Sequence, residues 1–347
     1  MVHKVTLSFF LILILLISCA EENREETFFD TSHEYLTPVV QHEMSFEEIH
    51  QPRKMRVIDG RLFVSDFSNR PAFHELSAET DGELTYTRGL GTEGDGPGEF
   101  LMIEDFADAG SLIYIYDGQQ LKLTGFENDF NPEPVDEIYL ETGGHPLAVY
   151  HLSNGSFVSS GLYADERIQV FDDEGAIKRR IGDLTSFDDS FSGRELAISW
   201  YSFSAISPDE DWIALFSSNS DHIETYDLQS GDLLQSVMGQ ENPYPRMQLE
   251  TVDGQTWPVD DGSIYGYLWA DADDEYMYGL YSGEIQSQQE RFRAGIIHLL
   301  DHDLNLVAAY RLDHYPFTMA ADQNGGIYTV THTDTGAVFR YITFPQD

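Results

Sequence analysis

Apolar and polar residues along this chain alternate with a period of two far more often than they repeat at helical spacing. Glu83-Leu84-Thr85-Tyr86-Thr87 alternates strictly, the pattern of a strand with one buried face. Other runs are apolar at successive positions: Leu112 to Tyr116, Ile213 to Phe216 and Tyr276 to Tyr278. A strand buried on both faces needs a packed layer on each side, which stacked sheets supply in an all-β chain. No long segment carries an i, i+3, i+4, i+7 stripe, and a turn near Phe46-Glu47-Glu48-Ile49 is the nearest approach to one.

Turn chemistry sets the period. Tight-turn signals stand before apolar runs at Asp59-Gly60, Asp108-Ala109-Gly110, Asn154-Gly155, Asp209-Glu210-Asp211, Asp273-Asp274 and Asn324-Gly325, spaced 45 to 64 residues apart. A second turn follows five of them: Asp81-Gly82, Asn128-Asp129, Glu174-Gly175, Ser230-Gly231 and Asp303-Leu304-Asn305. Two hairpin turns per repeat make four strands, the unit of a propeller blade. The sixth repeat ends at Asp347 without its second turn, so its last strand must come from elsewhere. The segment Leu36 to Phe46 precedes the first repeat and is expected to pair as the outer strand of the blade built from residues 316–344. The fold class is therefore all-β: a six-bladed β-propeller of four antiparallel strands per blade, closed by an N-terminal strand.

The N-terminus has a different pattern. Lys4 precedes an apolar stretch from Val5 to Ile17 that only Thr6 and Ser8 interrupt. It is shorter than the roughly 20 residues a membrane span needs and reads as a signal peptide. Leu16-Ile17-Ser18-Cys19 resembles the lipobox of bacterial lipoproteins. That resemblance implies cleavage before Cys19, lipid on its thiol and a place on the outer membrane, facing the periplasm or the cell surface. The domains expected are a lipoprotein signal peptide over 1–18, an acidic flexible tether over 19–34 and the propeller over 35–347. The acidic run after the cysteine is similar to the surface-export signal of Bacteroidetes-type lipoproteins.

Charge and composition remove several functions. The formal net charge is −42, and loss of Lys4 makes it one unit more negative. Such a surface repels nucleic acid, whose affinity comes from basic side chains on phosphate. The acid excess fits life in salt, where screening limits self-repulsion; cation binding or a cationic partner is the competing explanation. Cys19 is the single cysteine, which excludes an internal disulfide and a cysteine zinc cluster.

Gly91-Thr92-Glu93-Gly94-Asp95-Gly96-Pro97-Gly98-Glu99-Phe100 resembles the inter-blade junction of NHL-type propellers. Ser207-Pro208-Asp209-Glu210-Asp211-Trp212-Ile213-Ala214 is similar to the TolB-type repeat, with Glu210 where that repeat usually has glycine. From Tyr276-Met277-Tyr278-Gly279-Leu280-Tyr281-Ser282-Gly283 through Arg311-Leu312-Asp313 to Gly326-Ile327-Tyr328, the chain resembles TolB-like propeller lipoproteins of Bacteroidetes and their relatives. The resemblance spans about residues 35–345 and implies fold and location. It implies no reaction.

In a propeller the first strand of each blade, a, lines the channel. The tight turns above all fall on one face, and the long segments Gly182–Ser199, Gly239–Ile264 and Tyr281–Gly295 on the other. Long loops on a rigid scaffold carry recognition, and these hold Arg194, Tyr244, Arg246, Trp257, Arg291, Phe292 and Arg293, residue types enriched in binding hot spots. Pairing of the arginines with nearby acids, with the aromatics capping the core, is the competing structural role. The partner expected is a protein or a carbohydrate. The alternative is a metal-dependent hydrolase or lyase at the channel mouth. For that chemistry the expected inner strands, Val57-Ile58, Ala148-Val149, Ala205-Ile206 and Thr318 to Ala321, offer only Glu104, Asp105 and His151 nearby. No cofactor is implied, and Asp301-His302-Asp303 and Asp271 to Glu275 read as solvated turns.

Overall fold

The computed structural model describes residues 27–29, 34–68, 71–128, 133–239, 242–252, 255–262, 264–284, 293–322, 324–334 and 336–345. Six sheets, each with four antiparallel strands, form the blades of a propeller. From the channel outward, strands a to d of blade 1 are Pro52–Ile58, Arg61–Asp66, Phe73–Ala78 and Leu84–Leu90. Those of blade 2 are Ile103–Asp108, Leu112–Asp117, Lys122–Glu127 and Asp136–Tyr139. Blade 3 has His145–His151, Phe157–Leu162, Ile168–Phe171 and Ile177–Ile181, and blade 4 has Ser202–Ile206, Trp212–Ser217, His222–Asp227 and Leu233–Gly239. Blade 5 has Tyr267–Ala272, Met277–Tyr281, Ile296–Leu300 and Leu306–Arg311. Blade 6 takes Thr318–Ala321, Gly326–Thr333 and Gly336–Thr343 from the C-terminal repeat and Val39–Met44 from the N-terminal segment.

The doubly apolar runs are the b strands, and both their faces are buried because each blade is flanked by two others. The core is correspondingly divided into clusters, one at each blade interface. Phe63, Phe73, Phe106 and Ile115 pack between blades 1 and 2, for example, and Phe216, Ile223, Tyr267 and Leu300 between blades 4 and 5. The hairpin turns expected from the sequence fall between the strands they were assigned to, with Asp129 of the Asn128-Asp129 turn outside the described residues. At the first, Asp59 and Gly60 both have positive φ, 49° and 68°, the geometry of a two-residue turn that matches strand twist.

Glu210 stands at φ 59°, a left-handed conformation that glycine adopts without strain and other residues do not. Its carboxylate offsets that strain by crossing to blade 3. Glu210 accepts hydrogen bonds from the Ser153 N–H at 2.8 Å and the Ser153 hydroxyl at 2.7 Å. The departure from the TolB-type glycine is thus an inter-blade link.

The ring closes as expected. Val39–Met44 pairs antiparallel with Gly336–Thr343, from Val39↔Thr343 to Met44↔Phe339, with a bulge between Val40 and His42. The N-terminal segment does more than close one blade. Leu36 bridges Tyr310 on the outer edge of blade 5, and Thr27–Phe29 pairs parallel with Val237–Gly239 of blade 4. Three successive blade edges are strapped by one segment. Among the described residues the one helix is Gly193–Ser199, inside the loop from Gly182 to Ser199, where the sequence showed no helical stripe. The segment Gly239–Ile264 likewise carries a hairpin, Met247–Val252 and Gln255–Asp260. No helix among the described residues is long and apolar enough to cross a membrane.

The strap generates a prediction. Deleting residues 20–46 removes the pairing of blade 6 and exposes the Gly336–Thr343 edge, so the whole domain should melt at least about 5 °C lower than the mature chain. Equal melting temperatures by differential scanning calorimetry would show that closure contributes nothing.

Candidate functional site

Blade 1 contributes an unusual inner strand. Pro52–Ile58 carries Arg53, Lys54 and Arg56, three basic residues in a chain that has 19 in all. Each is held by a different chemistry. The Arg56 guanidinium donates to Asp105 of blade 2, from Nε at 3.2 Å and from Nη2 at 3.0 and 2.9 Å. Arg53 pairs with Glu104 at 2.9 Å. The Lys54 ammonium stands 4.4 Å from the Trp269 ring centre and 6.0 Å from that of Phe203.

A network spreads from Arg56 to all six blades. Asp105 also accepts the Val149 N–H of blade 3 at 3.0 Å. Arg56 lies 4.6 Å over the Tyr150 ring, whose hydroxyl donates to the Ser204 carbonyl of blade 4 at 2.7 Å. On the far side Arg56 faces Asp271 of blade 5, and the Asp271 carboxylate accepts the Ala321 N–H of blade 6 at 2.9 Å. Burial opposes the Arg56 charge, but Asp105, Tyr150 and Asp271 more than offset it and its pKa stands above the ordinary arginine value. Burial pushes Lys54 down, against Asp105 and Glu104.

This layer divides the axial channel. On the long-loop side of it remains a void of about 20 Å³ beside Lys54, Tyr201, Phe203 and Trp269, room for about one water. On the tight-turn side opens a funnel of about 260 Å³ to which all six blades contribute, among them His151 and the acids Asp108, Glu210, Asp273 and Asp322. Burial lowers the His151 pKa, opposed by Glu210 and Asp108, and its ring stacks at 6.2 Å on Tyr114.

Of the ligands expected for a hydrolase, Glu104 is paired with Arg53 and Asp105 with Arg56, while His151 stands in the funnel wall with its ring stacked on Tyr114. Among the described residues no group of three or more His, Cys, Asp or Glu is placed to hold a metal ion. Asp271 corrects the sequence reading. It belongs to the inner strand Tyr267–Ala272 and not to a solvated turn. Asp273 is buried and caps that turn, accepting the N–H groups of Glu275 and Tyr276 at 2.9 and 2.8 Å. Asp301-His302-Asp303 is a turn as expected, with His302 and Asp303 exposed. Sequence reasoning missed Arg56, Lys54, Asp271 and Trp269. The clustering of scarce basic residues just before the first tight turn was the available signal.

The long-loop face carries a cap. The helix Gly193–Ser199 and the hairpin from Met247 to Asp260 pack around Phe191, Leu196 and Trp200, with Tyr244, Met247 and Leu249 against them. Trp200 anchors the cap by donating its indole N–H to the Thr185 carbonyl at 2.7 Å. Tyr244 thus serves the cap core, 6.5 Å from Trp200. Arg194 and Trp257 meet across helix and hairpin, with the exposed guanidinium 4.5 Å over the indole. Arg246 is exposed, and its carbonyl accepts the Asp261 N–H at 2.9 Å to close the hairpin base. Arg293 stands apart on the blade 5 side, 5.4 Å over Tyr315. Arg291, Phe292 and Cys19 lie outside the described residues.

Asp271 supplies a test of the axial layer. Burial pushes its pKa up, opposed by Arg56 and by the Ala321 and Ala272 N–H groups. A carboxyl with a raised folded pKa favours folding fully below the unfolded value of about 3.9. That contribution is lost as pH rises through the folded value. Asp271→Asn cannot ionise, so the melting temperature of the variant minus that of wild type should be more positive at about pH 7 than at about pH 4. A difference that is flat or falls would show that Arg56 and the backbone hold the carboxylate at no cost.

Comparison with known proteins agrees with this architecture. Residues 31–324 match the family described as TolB-like 6-blade propeller-like. No curated protein matches the chain. Among solved structures, a Bacteroides fragilis protein assigned as exported superposes with TM-score 0.57 at 9% identity, covering 92% of this chain and 99% of its own. A member of the DUF4221 family from Bacteroides vulgatus gives TM-score 0.56 at 8% identity, covering 89% and 98%. At such identities the likeness is one of fold. With its family match over most of the sequence and six four-stranded blades in its structure, the chain belongs to the TolB-like six-bladed propellers.

Proposed function

We propose that this protein is a lipid-anchored envelope propeller that binds a protein or carbohydrate partner through its long-loop face. The observation that carries the reading is the Arg194–Trp257 pair, an exposed guanidinium laid on an indole at 4.5 Å. A planar cation fixed on a ring keeps its hydrogen-bonding edge available and needs little further ordering to bind. The cap beneath it has its own apolar core, so the pair rides on a packed element. The channel, by contrast, is crossed by a layer of paired charges.

Export is supported by the signal pattern of residues 1–18 and by the exported assignment of the Bacteroides fragilis neighbour. Seven residues lie between Cys19 and Thr27, and the eight residue-to-residue steps reach about 26–29 Å at full extension. A lipid on Cys19 therefore keeps the rim of blade 4, to which Thr27–Phe29 is paired, within that distance of the bilayer.

The partner reading is tested by capture from native membranes with the mature lipoprotein. Arg194→Ala and Trp257→Ala should each weaken capture several-fold with little change in melting temperature, and Arg293→Ala less so. Asp81→Asn and Glu174→Gln, on the tight-turn face, should leave capture unchanged. Loss of capture in those two variants with retention in the cap variants would reverse the assignment of faces. For the anchor, Cys19→Ser should move the protein from the membrane to the soluble fraction or leave it unprocessed. Mass spectrometry that finds unmodified Cys19 still joined to residues 1–18 would rule the anchor out.

A further inference from the structure

Acidic residues outnumber basic ones by 61 to 19, so an arginine on this surface has carboxylates close by. Most described arginines use one, as Arg340 does with Glu43 at 2.8 Å. Arg311 does not. Among the described residues it enters no ion pair, and its exposed guanidinium lies 4.2 Å over the Tyr35 ring. Stacking fixes the plane of the guanidinium and leaves its donor edge open.

Arg311 borders a groove of about 390 Å³ on the outer rim between blade 5 and the N-terminal strand of blade 6. The N-terminal side of the groove includes Tyr35 and Val40, and the blade 5 side Leu312 and His314. Asp313, also at the groove, already hydrogen-bonds the His314 ring at 2.7 Å. Of the flanking strands, Val39–Met44 is outermost in its sheet with no strand paired beyond it among the described residues, whereas the blade 5 edge is already taken by Leu36, which donates to the Ala309 carbonyl and accepts the Arg311 N–H, each at 2.9 Å. An unpaired edge such as that of Val39–Met44 accepts a further strand. Val40, 41% exposed, lines the groove beside Pro38 and Leu312 as an aliphatic border, with no lysine among the groove's lining residues to protect it.

An open strand edge, an aliphatic border and an oriented guanidinium without a carboxylate together define a ligand. We propose that this rim groove takes an extended peptide segment of a partner protein, with an aliphatic side chain packed at Val40 and a neighbouring acidic side chain docked on Arg311. The site is on the rim of blades 5 and 6 and is independent of the cap over blade 4.

The test uses the mature chain and three labelled hexapeptides of valine and threonine that differ only in one central Glu, Gln or Lys, read by fluorescence anisotropy. The Glu peptide should bind at least about tenfold more tightly than the Gln peptide, and the Lys peptide should not bind. Arg311→Ala should weaken the Glu peptide about tenfold. Val40→Asp should do the same by repulsion while leaving Arg311 in place. Arg194→Ala, on the cap, should change nothing. The proposal fails if no peptide binds, if the three bind alike, or if Arg311→Ala and Val40→Asp leave the Glu peptide unaffected. Loss of binding in Arg194→Ala would move the peptide to the cap and overturn the groove, while leaving the cap reading intact.

Discussion

The pairing of Arg56 with Asp105 at the channel axis is the constraint on which the arrangement of the blades turns. Both side chains are largely removed from solvent, with 19% and 6% of their surface exposed. Removing one member of such a pair costs about 3–5 kcal/mol, because the other charge is left buried alone. Replacing both by apolar groups of similar volume can be neutral, so the pair is weak as a source of net stability. Its directional bonds serve alignment. Arg56 and Asp105 fix blades 1 and 2, Asp105 reaches blade 3 through Val149 N–H, and Tyr150 passes the link to Ser204 of blade 4. Asp271 carries it from blade 5 to blade 6. Apolar interfaces between blades tolerate sliding, whereas these geometries do not.

The same principle of local satisfaction accounts for much of the acid excess. Aspartates recur at strand ends, where turn N–H groups would otherwise lack partners. Asp117 accepts the N–H groups of Gln119 and Gln120 at 2.9 and 3.0 Å and that of Leu101 at 2.6 Å. Asp227 serves Gln229 and Ser230, and Asp301 serves Asp303 and Asn305. At Asp227 these backbone bonds hold the carboxyl below its ordinary pKa. Asp301 closes its own turn in the same way, which gives the motif-like run Asp301-His302-Asp303 a structural role.

Against that background the placement of arginine is selective. Arginines at the axis meet carboxylates. Arg194 on the cap and Arg311 on the rim meet aromatic rings. The first pattern crosses the channel, and the second leaves oriented, charged donors facing solvent in two places. Paired charges lie inside the ring and stacked guanidiniums outside it, which is the contrast on which the proposed recognition surfaces rest.

The fold was legible because it rests on local signals. A turn such as Asp59-Gly60 requires residues that accept positive φ, and a b strand flanked by two blades requires apolar residues at successive positions. Both leave marks in the sequence, and so did the missing last strand that Val39–Met44 supplies. The resemblance of Leu16-Ile17-Ser18-Cys19 to a lipobox also rests on a short linear pattern, and it lies outside the described residues. The helix Gly193–Ser199 left no such mark: it has seven residues, too few to show a stripe, and is held by packing of Leu196 and Trp200 against a hairpin some fifty residues away. The axial layer was hidden for the same reason. Asp271 stands next to an acidic turn and read as part of it, while Arg56 is separated by 49 positions from Asp105, the acid it pairs with. Only closure of the ring brings residues 56, 105, 150, 204, 271 and 321 to one axis, because their proximity is set by the angular spacing of the blades and by nothing adjacent to them in the chain.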